Sequence, residues 1–312
     1  MKYLFPSLIL ISVLSVLISS CGDKDKGSAG SVSMAAITPS NAEPLLMGAY
    51  HGGFIPSMIP SPPESQKASA PSVMMEAARI ITRHAQPAMM KFAEKGSKSA
   101  ERIEGPCGGY AFMEVTGTRL RVTASYTMTD YCEDSITMNG SMTFIALYRF
   151  EYDEYVLYSV YFYFDNTEIT APGGTITVNG SLIDSFEPIN EENKRTIVMN
   201  QRIVDWETPD KTYSFDDYVA VITSDTAQIL STVSGKYIHS VHGSVSITTP
   251  LIVSSLKPTD DGYYPPHSGE LKITGKNGSS ASLHFIGDNQ FYFECDQDGN
   301  GGIDWTSETY SW

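Results

Sequence analysis

Apolar and polar positions recur with two different periods along this chain, and the change of period divides it. Between Ser72 and Lys95, the positions Val73, Ala77, Ile80, Ile81 and His84 follow at spacings of four, three, one and three, which puts them on one helical face. Glu76, Arg79 and Arg83 fall on the opposite face. The spacing predicts an amphipathic helix over residues 72–95, kinked or divided at Pro87, with its Met- and Ile-bearing stripe laid on another element.

From Gly108 to Trp312 the period is two. Residues 119–126 alternate, and residues 155–164 are an unbroken run of strand formers. Pro172-Gly173-Gly174, Thr208-Pro209-Asp210, Asp260-Asp261-Gly262 and Lys276-Asn277-Gly278 interrupt the runs at hairpin-like intervals, with no long helical pattern between them. That arrangement predicts antiparallel pairing. A short pattern with Gly-Ser inside a strand-like run occurs at residues 136–142, 176–182 and 238–245. The intervals between Gly140, Gly180 and Gly243 are unequal, which excludes a solenoid or propeller of fixed period. A glycine inside a strand marks a bend or bulge where a sheet curls. The expected fold is mostly β, a large curved antiparallel sheet forming an incomplete barrel or sandwich, with the helix of 72–95 packed on it.

In the run at 155–164, Val156, Tyr158, Val160, Phe162 and Phe164 take one face, and Tyr155, Leu157, Tyr161 and Tyr163 take the other. A strand polar on neither side is either buried on both faces or lines a cavity. Under the second reading Tyr155, Leu157, Tyr161 and Tyr163 contact a lipid or other apolar ligand, with the tyrosine hydroxyls at its rim.

The N-terminal stretch follows neither period. Lys2, an apolar segment from Leu8 to Ile18 and a small-residue end make the layout of a secretory signal over residues 1–20. The apolar segment is too short to cross a hydrocarbon core, which needs about 20 residues. Residues 21–71 are rich in Ser, Ala, Pro, Gly and Met and read as a flexible tether, although Leu45-Leu46-Met47 and Phe54-Ile55-Pro56 have the character to dock locally. Residues 72–312 then form a single β-rich domain behind its helix. The 312 residues carry a net charge of −15. An acidic chain without a basic patch argues against nucleic acid and anionic headgroups as partners, and suits cation binding.

Ile18-Ser19-Ser20-Cys21 resembles the lipobox of bacterial lipoproteins. That resemblance implies diacylglyceryl transfer to the Cys21 thiol, cleavage before it and acylation of the new amine. A multiply acylated Cys21 would hold the protein on a lipid bilayer. Gly22 after it, rather than Asp, implies the outer membrane of the cell envelope. Export places Cys107, Cys132 and Cys295 in an oxidising compartment. Cys107 and Cys132 flank two strand-like runs and are the expected disulfide, worth roughly 3 kcal/mol for such a loop. Cys295 would remain a free thiol.

The sharpest chemical pattern lies near the C-terminus, in residues 296–304. Asp296, Asp298, Asn300 and Asp304 fall at positions 1, 3, 5 and 9 of an EF-hand-like calcium loop, with Gly at position 6 and a carbonyl from Gly302 at position 7. Alternate residues of a tight loop converge on one cation. Position 12, however, is Ser307 rather than a bidentate Glu, and the flanks read as strands. Two readings stand: calcium bound at about 10⁻⁴ to 10⁻³ M, or a hairpin whose Asp, Asn and Gly residues supply turns only.

Nothing else in the sequence assembles a catalytic set. His239 and His242, three apart on an expected strand, would point to opposite faces. The sequence has no Gly-x-Ser-x-Gly elbow, phosphate loop or paired-Cys zinc motif. Asp216-Asp217 and Asp260-Asp261 read as solvated turn carboxylates.

Residues 264–275, the Asp-rich hairpin and a final strand ending in Trp312 resemble the ending of a group of uncharacterised, β-rich Gram-negative lipoproteins. The resemblance implies architecture and no activity. The expectation is a non-enzymatic envelope lipoprotein, binding or structural. A carrier of lipid or other apolar ligand is the alternative, and a hydrolase of envelope polymers the third reading.

Overall fold

Period-two patterning over two hundred residues becomes strands that pair in the order of the sequence. A computed structural model describes residues 32–53, 77–85, 87, 89, 92, 98–151, 154–172, 174–189, 192–205, 212–224, 228–256, 266–287 and 289–311. The signal at 1–20, Cys21 and the parts of the tether at 21–31 and 54–71 lie outside the described residues. Fifteen strands form one antiparallel sheet: β1 (Ser99–Glu104), β2 (Gly108–Thr118), β3 (Arg121–Glu133), β4 (Ile136–Glu151), β5 (Glu154–Ala171), β6 (Gly174–Ile189), β7 (Glu192–Asp205), β8 (Thr212–Ser224), β9 (Gln228–His239), β10 (Gly243–Leu256), β11 (Pro266–Thr274), β12 (Ser280–Phe285), β13 (Gln290–Asp296), β14 (Trp305–Thr306) and β15 (Tyr310–Ser311). Each strand from β1 to β14 pairs with its sequence neighbour, and β15 pairs with β13. Among the described residues β1 and β14 do not meet, so the sheet is open, as the hairpin spacing and the absence of crossover helices lead one to expect.

A line of bulges crosses the sheet and accounts for two of the three Asn-Gly-Ser or His-Gly-Ser patterns. Asp130, Asn166 and Asp217 each have φ between 46° and 48°. The N–H of each is accepted by an asparagine on the neighbouring strand: Asn139 Oδ1 at 2.7 Å, Asn179 Oδ1 at 2.8 Å and Asn200 Oδ1 at 2.8 Å. The register slips at these places in the β3–β4, β5–β6 and β8–β9 pairs. Gly180 is required at its bulge because its φ is +116° and a Cβ there would overlap the carbonyl oxygen of Asn200. Bulges recurring on β3, β5 and β8 each add local bend and twist, and together they curl the sheet.

One face of the curled sheet carries the core. Met113, Tyr126, Met138, Phe144, Phe162, Phe164, Leu182, Met199, Phe215, Val233, Ile247, Leu271 and Phe293 are all buried and belong to one cluster. The helical stripe found in the sequence covers its N-terminal side. Residues 77–85 are helical (α2), with 87, 89 and 92 also in helical turns, and Ala77, Ile80, Ile81, Ala85, Met89 and Phe92 are buried.

Part of the segment read from the sequence as a tether is helical. Pro39–Gly53 is a helix, α1, and Ala42, Leu45, Leu46, Ala49 and Tyr50 are at most 4% exposed. Pro39 occupies the first turn, where its missing N–H costs nothing, and the Thr38 N–H bonds Asn41 Oδ1 at 2.8 Å. Ahead of the helix, Met34 makes a parallel bridge to Ser244. Gly243, the third patterned glycine, serves this contact instead of a bulge: with φ +98°, it leaves room for the backbone of Ser33 and Ala35. Further bonds run from Lys276 N to Ala35 O at 2.6 Å and from Ile37 N to Ser279 Oγ at 3.1 Å. Burying a stripe of Leu, Ala and Tyr outweighed the low helix propensity of a Pro- and Gly-bearing segment.

Candidate cation site

The C-terminal Asp-rich loop is the connection from β13 to β14. β13 ends at Asp296, and Trp305 resumes pairing opposite Cys295, with Asp304 N donating to Cys295 O at 2.9 Å. The eight intervening positions are held by their own side chains. Asp296 accepts Gly299 N at 2.8 Å on Oδ1 and Gly301 N at 2.9 Å on Oδ2. Asp304 Oδ2 accepts Gln297 N at 2.7 Å, Asp298 Oδ1 accepts Asn300 N at 3.1 Å, and Asn300 Oδ1 accepts Gly302 N at 2.6 Å. Short polar side chains bonding backbone two to seven residues away are the ordinary means of fixing such a turn.

These bonds gather the acidic groups. Ligand oxygens of Asp296, Asp298 and Asp304 lie within 4.8 Å of one another, so the cluster can hold a metal ion. Asp296 is buried while Asp298 and Asp304 are exposed, which leaves one side of the cluster open to solvent. Asp304 Oδ2 accepts both Gln297 N and Asp298 N, and each of the three carboxylates still keeps at least one lone pair free of these bonds. Three hard oxygen donors with an amide and a carbonyl nearby suit Ca²⁺ or Mg²⁺ rather than a soft metal.

The departure from an EF-hand has a structural cause. Ser307, at position 12, is committed to the sheet: its N–H bonds Phe293 O at 2.9 Å and its Oγ accepts Phe293 N at 2.9 Å. Ile303, at position 8, is 54% exposed. The loop is a strand–loop–strand unit. It is braced from outside at Gly299, where a Cβ would overlap Asn277 O and crowd the Gly278–Ser279 peptide. Cys295, next to the loop, is a buried free cysteine; burial, with Asp304 and Asp296 nearby, pushes its thiol pKa up and keeps it unreactive.

The other expected residues fall as follows. Cys107 and Cys132 form a disulfide. Tyr155, Leu157, Tyr161 and Tyr163 do not share a face. The β4–β5 register slips between Leu147 and Tyr148, so Leu157 and Tyr148 pack against the core while Tyr163, 44% exposed, and half-buried Tyr161 point away from it. Strict alternation cannot see such a bulge. His239 and His242 also depart from expectation: residues 240–242 turn, and the two rings lie 4.6 Å apart. His239 Nδ1 is occupied there, accepting Val241 N at 3.1 Å. Asp216 and Asp217 are exposed at a bulge, and Asp260-Asp261 lies outside the described residues.

A second polar cluster joins α2 to the β3–β4 turn. Glu133, 5% exposed, accepts a hydrogen bond from Tyr131 and contacts Arg83 at 2.7 Å and His84 Nε2 at 2.6 Å. Arg83 also reaches Asp134 at 2.9 Å. Burial works to raise the Glu133 pKa, but the bonds from Tyr131 and His84 and the charge of Arg83 outweigh it and hold the carboxyl below its ordinary value. This cluster was not readable in advance, because its partners lie some fifty residues apart. Every polar member has a partner within the cluster, which identifies it as the polar attachment of the helix to the sheet.

No protein-family model, curated protein or solved structure matches this chain. Among the described residues, no helix is long and apolar enough to cross a membrane.

Proposed function

We propose that this chain is a non-enzymatic, lipid-anchored protein of a bacterial envelope whose C-terminal hairpin loop binds calcium. The convergence of the Asp296, Asp298 and Asp304 carboxylates carries the calcium reading. Asn300 Oδ1 and the Gly302 carbonyl complete the ligand set, and a carboxylate count of three without a bidentate Glu gives an affinity of about 10⁻⁴ to 10⁻³ M, typical of extracellular modules. Binding there would stiffen the last hairpin of the sheet.

The anchor reading rests on Ile18-Ser19-Ser20-Cys21 behind a signal-like segment. Two or three acyl chains on Cys21, each buried methylene contributing about 0.8 kcal/mol, make release from the bilayer negligible.

Thermal melts of the full chain in 10 mM calcium and in chelator test the first part. A dissociation constant of about 1 mM would stabilise the fold by about 1.4 kcal/mol under those conditions; identical melts would remove the ion site. For the anchor, radiolabelled palmitate should enter the wild-type chain expressed in a Gram-negative host and be lost in Cys21→Ser. Equal labelling of both, or of neither, would sink the lipid reading.

A further inference from the structure

A short run of backbone bonds fixes where the chain enters the folded sheet. The Ser33 carbonyl accepts Ser244 N at 3.0 Å, Ala35 N donates to Ser244 O at 2.8 Å, Lys276 N donates to Ala35 O at 2.6 Å, and Ile37 N donates to Ser279 Oγ at 3.1 Å. Residues 33–37 therefore lie across the β9–β10 and β11–β12 turns. The Asp-rich β13–β14 loop abuts the second of these turns, since a Cβ on Gly299 would overlap Asn277 O. In an antiparallel sheet paired in sequence order, alternate connections share one end, so all three connections belong to the same end of the sheet.

Each part of this end presents one apolar side chain to solvent. Met34 in the entering segment is 43% exposed, Val241 in the middle of the β9–β10 turn 62%, and Ile303 in the β13–β14 loop 54%. Single exposed apolar residues are ordinary on a protein surface. A β-branched residue at a projecting turn position is less so, because Gly, Asn, Asp and Ser satisfy the local backbone there and Val and Ile do not. With neighbouring strands about 4.8 Å apart, Val241 and Ile303 sit on turns about 20 Å apart, and the segment bearing Met34 crosses between them.

Chain length selects what covers this end. On the reading of Cys21 as the lipidated residue, on which this inference rests, eleven residues, 22–32, separate the anchor from Ser33. Such a segment spans at most about 40 Å even when fully extended. Strand β10 has 14 residues and is about 45 Å long. Setting the opposite end of the sheet on the bilayer would lift Ser33 by that length, beyond the reach of the anchor. Exposed Leu120 and Phe150 at the opposite end are thereby held away from the lipid. The end that carries Met34, Val241 and Ile303 is the one the anchor draws down.

The charges beside these residues select the lipid. Asp298 and Asp304 are exposed and outnumber exposed Lys276, so this end disfavours anionic headgroups and tolerates zwitterionic ones.

We propose that the end of the sheet formed by residues 33–35, 240–242 and 297–304 rests on the bilayer that holds Cys21, with Met34, Val241 and Ile303 inserted among the headgroups of a zwitterionic lipid surface.

The test uses the full chain, purified in its palmitate-labelled form and placed in vesicles of phosphatidylcholine and phosphatidylethanolamine, in chelator so that it stands apart from the calcium reading. Val241→Cys, Ile303→Cys and Phe150→Cys each receive an environment-sensitive dye. Cys295 is buried and Cys107 is bonded to Cys132, so the dye goes to the new thiol. Relative to the same site in the soluble Cys21→Ser chain, emission is expected to rise severalfold and shift to the blue at positions 241 and 303, and to stay aqueous at position 150. Adding Met34→Asp to Val241→Cys should return its emission toward the aqueous value; Met34 is exposed, so this change leaves the fold intact. Absence of palmitate from the chain removes the anchor and this inference with it. Palmitate present with aqueous emission at positions 241 and 303 overturns the docking alone and leaves the anchor standing. Equal shifts at all three positions overturn it too. So does a shift that grows with protein concentration in the soluble chain, which assigns the surface to a second copy.

Discussion

Asn179 accepts the backbone N–H of Asn166 through Oδ1 at 2.8 Å, and its own amide nitrogen returns a bond to Asn166 Oδ1 at 3.0 Å. Asn139 and Asp130 repeat the exchange one hairpin earlier, at 2.7 and 3.2 Å. Each exchange holds a residue in the left-handed region inside a strand, where it would otherwise be costly. Asn179→Thr keeps a strand-forming side chain but loses both bonds, and should cost about 1–2 kcal/mol. Gly180→Ala adds a Cβ against Asn200 O at a φ of +116°, and should cost about 1–3 kcal/mol with the larger fall in melting temperature. Equal, small shifts for the two variants would mean that the bulge line does not bear on stability.

How much of this was legible depends on whether the determining contact is local. Helix α2 was readable from Ala77, Ile80 and Ile81 because its period is written in consecutive turns. The antiparallel sheet followed from turn residues between alternating runs. Gly140 and Gly180 signalled bulges correctly, but Gly243 carries the same short pattern and does different work, because its partner is the backbone of Ser33 and Ala35 far away in sequence.

Helix α1 has a helical stripe in Ala42, Leu45, Leu46 and Ala49, which Pro39, Pro44 and Gly48 obscured. The Asp-rich loop was legible as a ligand pattern, since all its donors lie within nine residues. The sharing of Glu133 among Tyr131, His84 and Arg83 comes only from tertiary pairing.

Acid should loosen α2 through Glu133. Its folded-state pKa is depressed below the unfolded carboxylate value of about 4.3. The stability it contributes is therefore complete above that value and is lost as pH falls through the folded pKa. Glu133→Gln should destabilise the protein at pH 7 by about 1–3 kcal/mol, less than for a fully buried broken pair because Arg83 is 44% exposed. It should also flatten the dependence of the melting temperature on pH below about 5. A variant with an unchanged acid limb would show that other carboxylates govern it.

The disulfide closes a 25-residue separation and ties the start of β2 to the end of β3, one residue from both Tyr131 and Glu133. Chain entropy assigns such a loop roughly 3 kcal/mol. Paired Cys107→Ser and Cys132→Ser substitutions should therefore lower the melting temperature by about 6–12 °C for a domain of this size. Reductant should reproduce the shift in the wild type and leave the double variant unaffected. A wild type indifferent to reductant after unfolding and refolding would remove the disulfide from the account of stability.

In the Asp-rich loop between β13 and β14, burial separates the carboxylate that shapes the backbone from those that face solvent. Asp296 uses both carboxylate oxygens to hold Gly299 and Gly301, so Asp296→Asn should lose the loop shape together with any ion and lower stability even in chelator. Asp298 is exposed, and among the described residues its acceptor bonds go only to Asn300, the backbone N–H at 3.1 Å and Nδ2 at 2.8 Å. Asp298→Ala should therefore leave the melt in chelator within about 0.5 kcal/mol of wild type, as for an ordinary surface change, yet abolish the stabilisation of about 1.4 kcal/mol expected from 10 mM calcium. Matched melts of the two variants with and without calcium distinguish a cation site from a turn. If Asp298→Ala keeps the full calcium shift, the ion sits elsewhere and the loop is a turn alone.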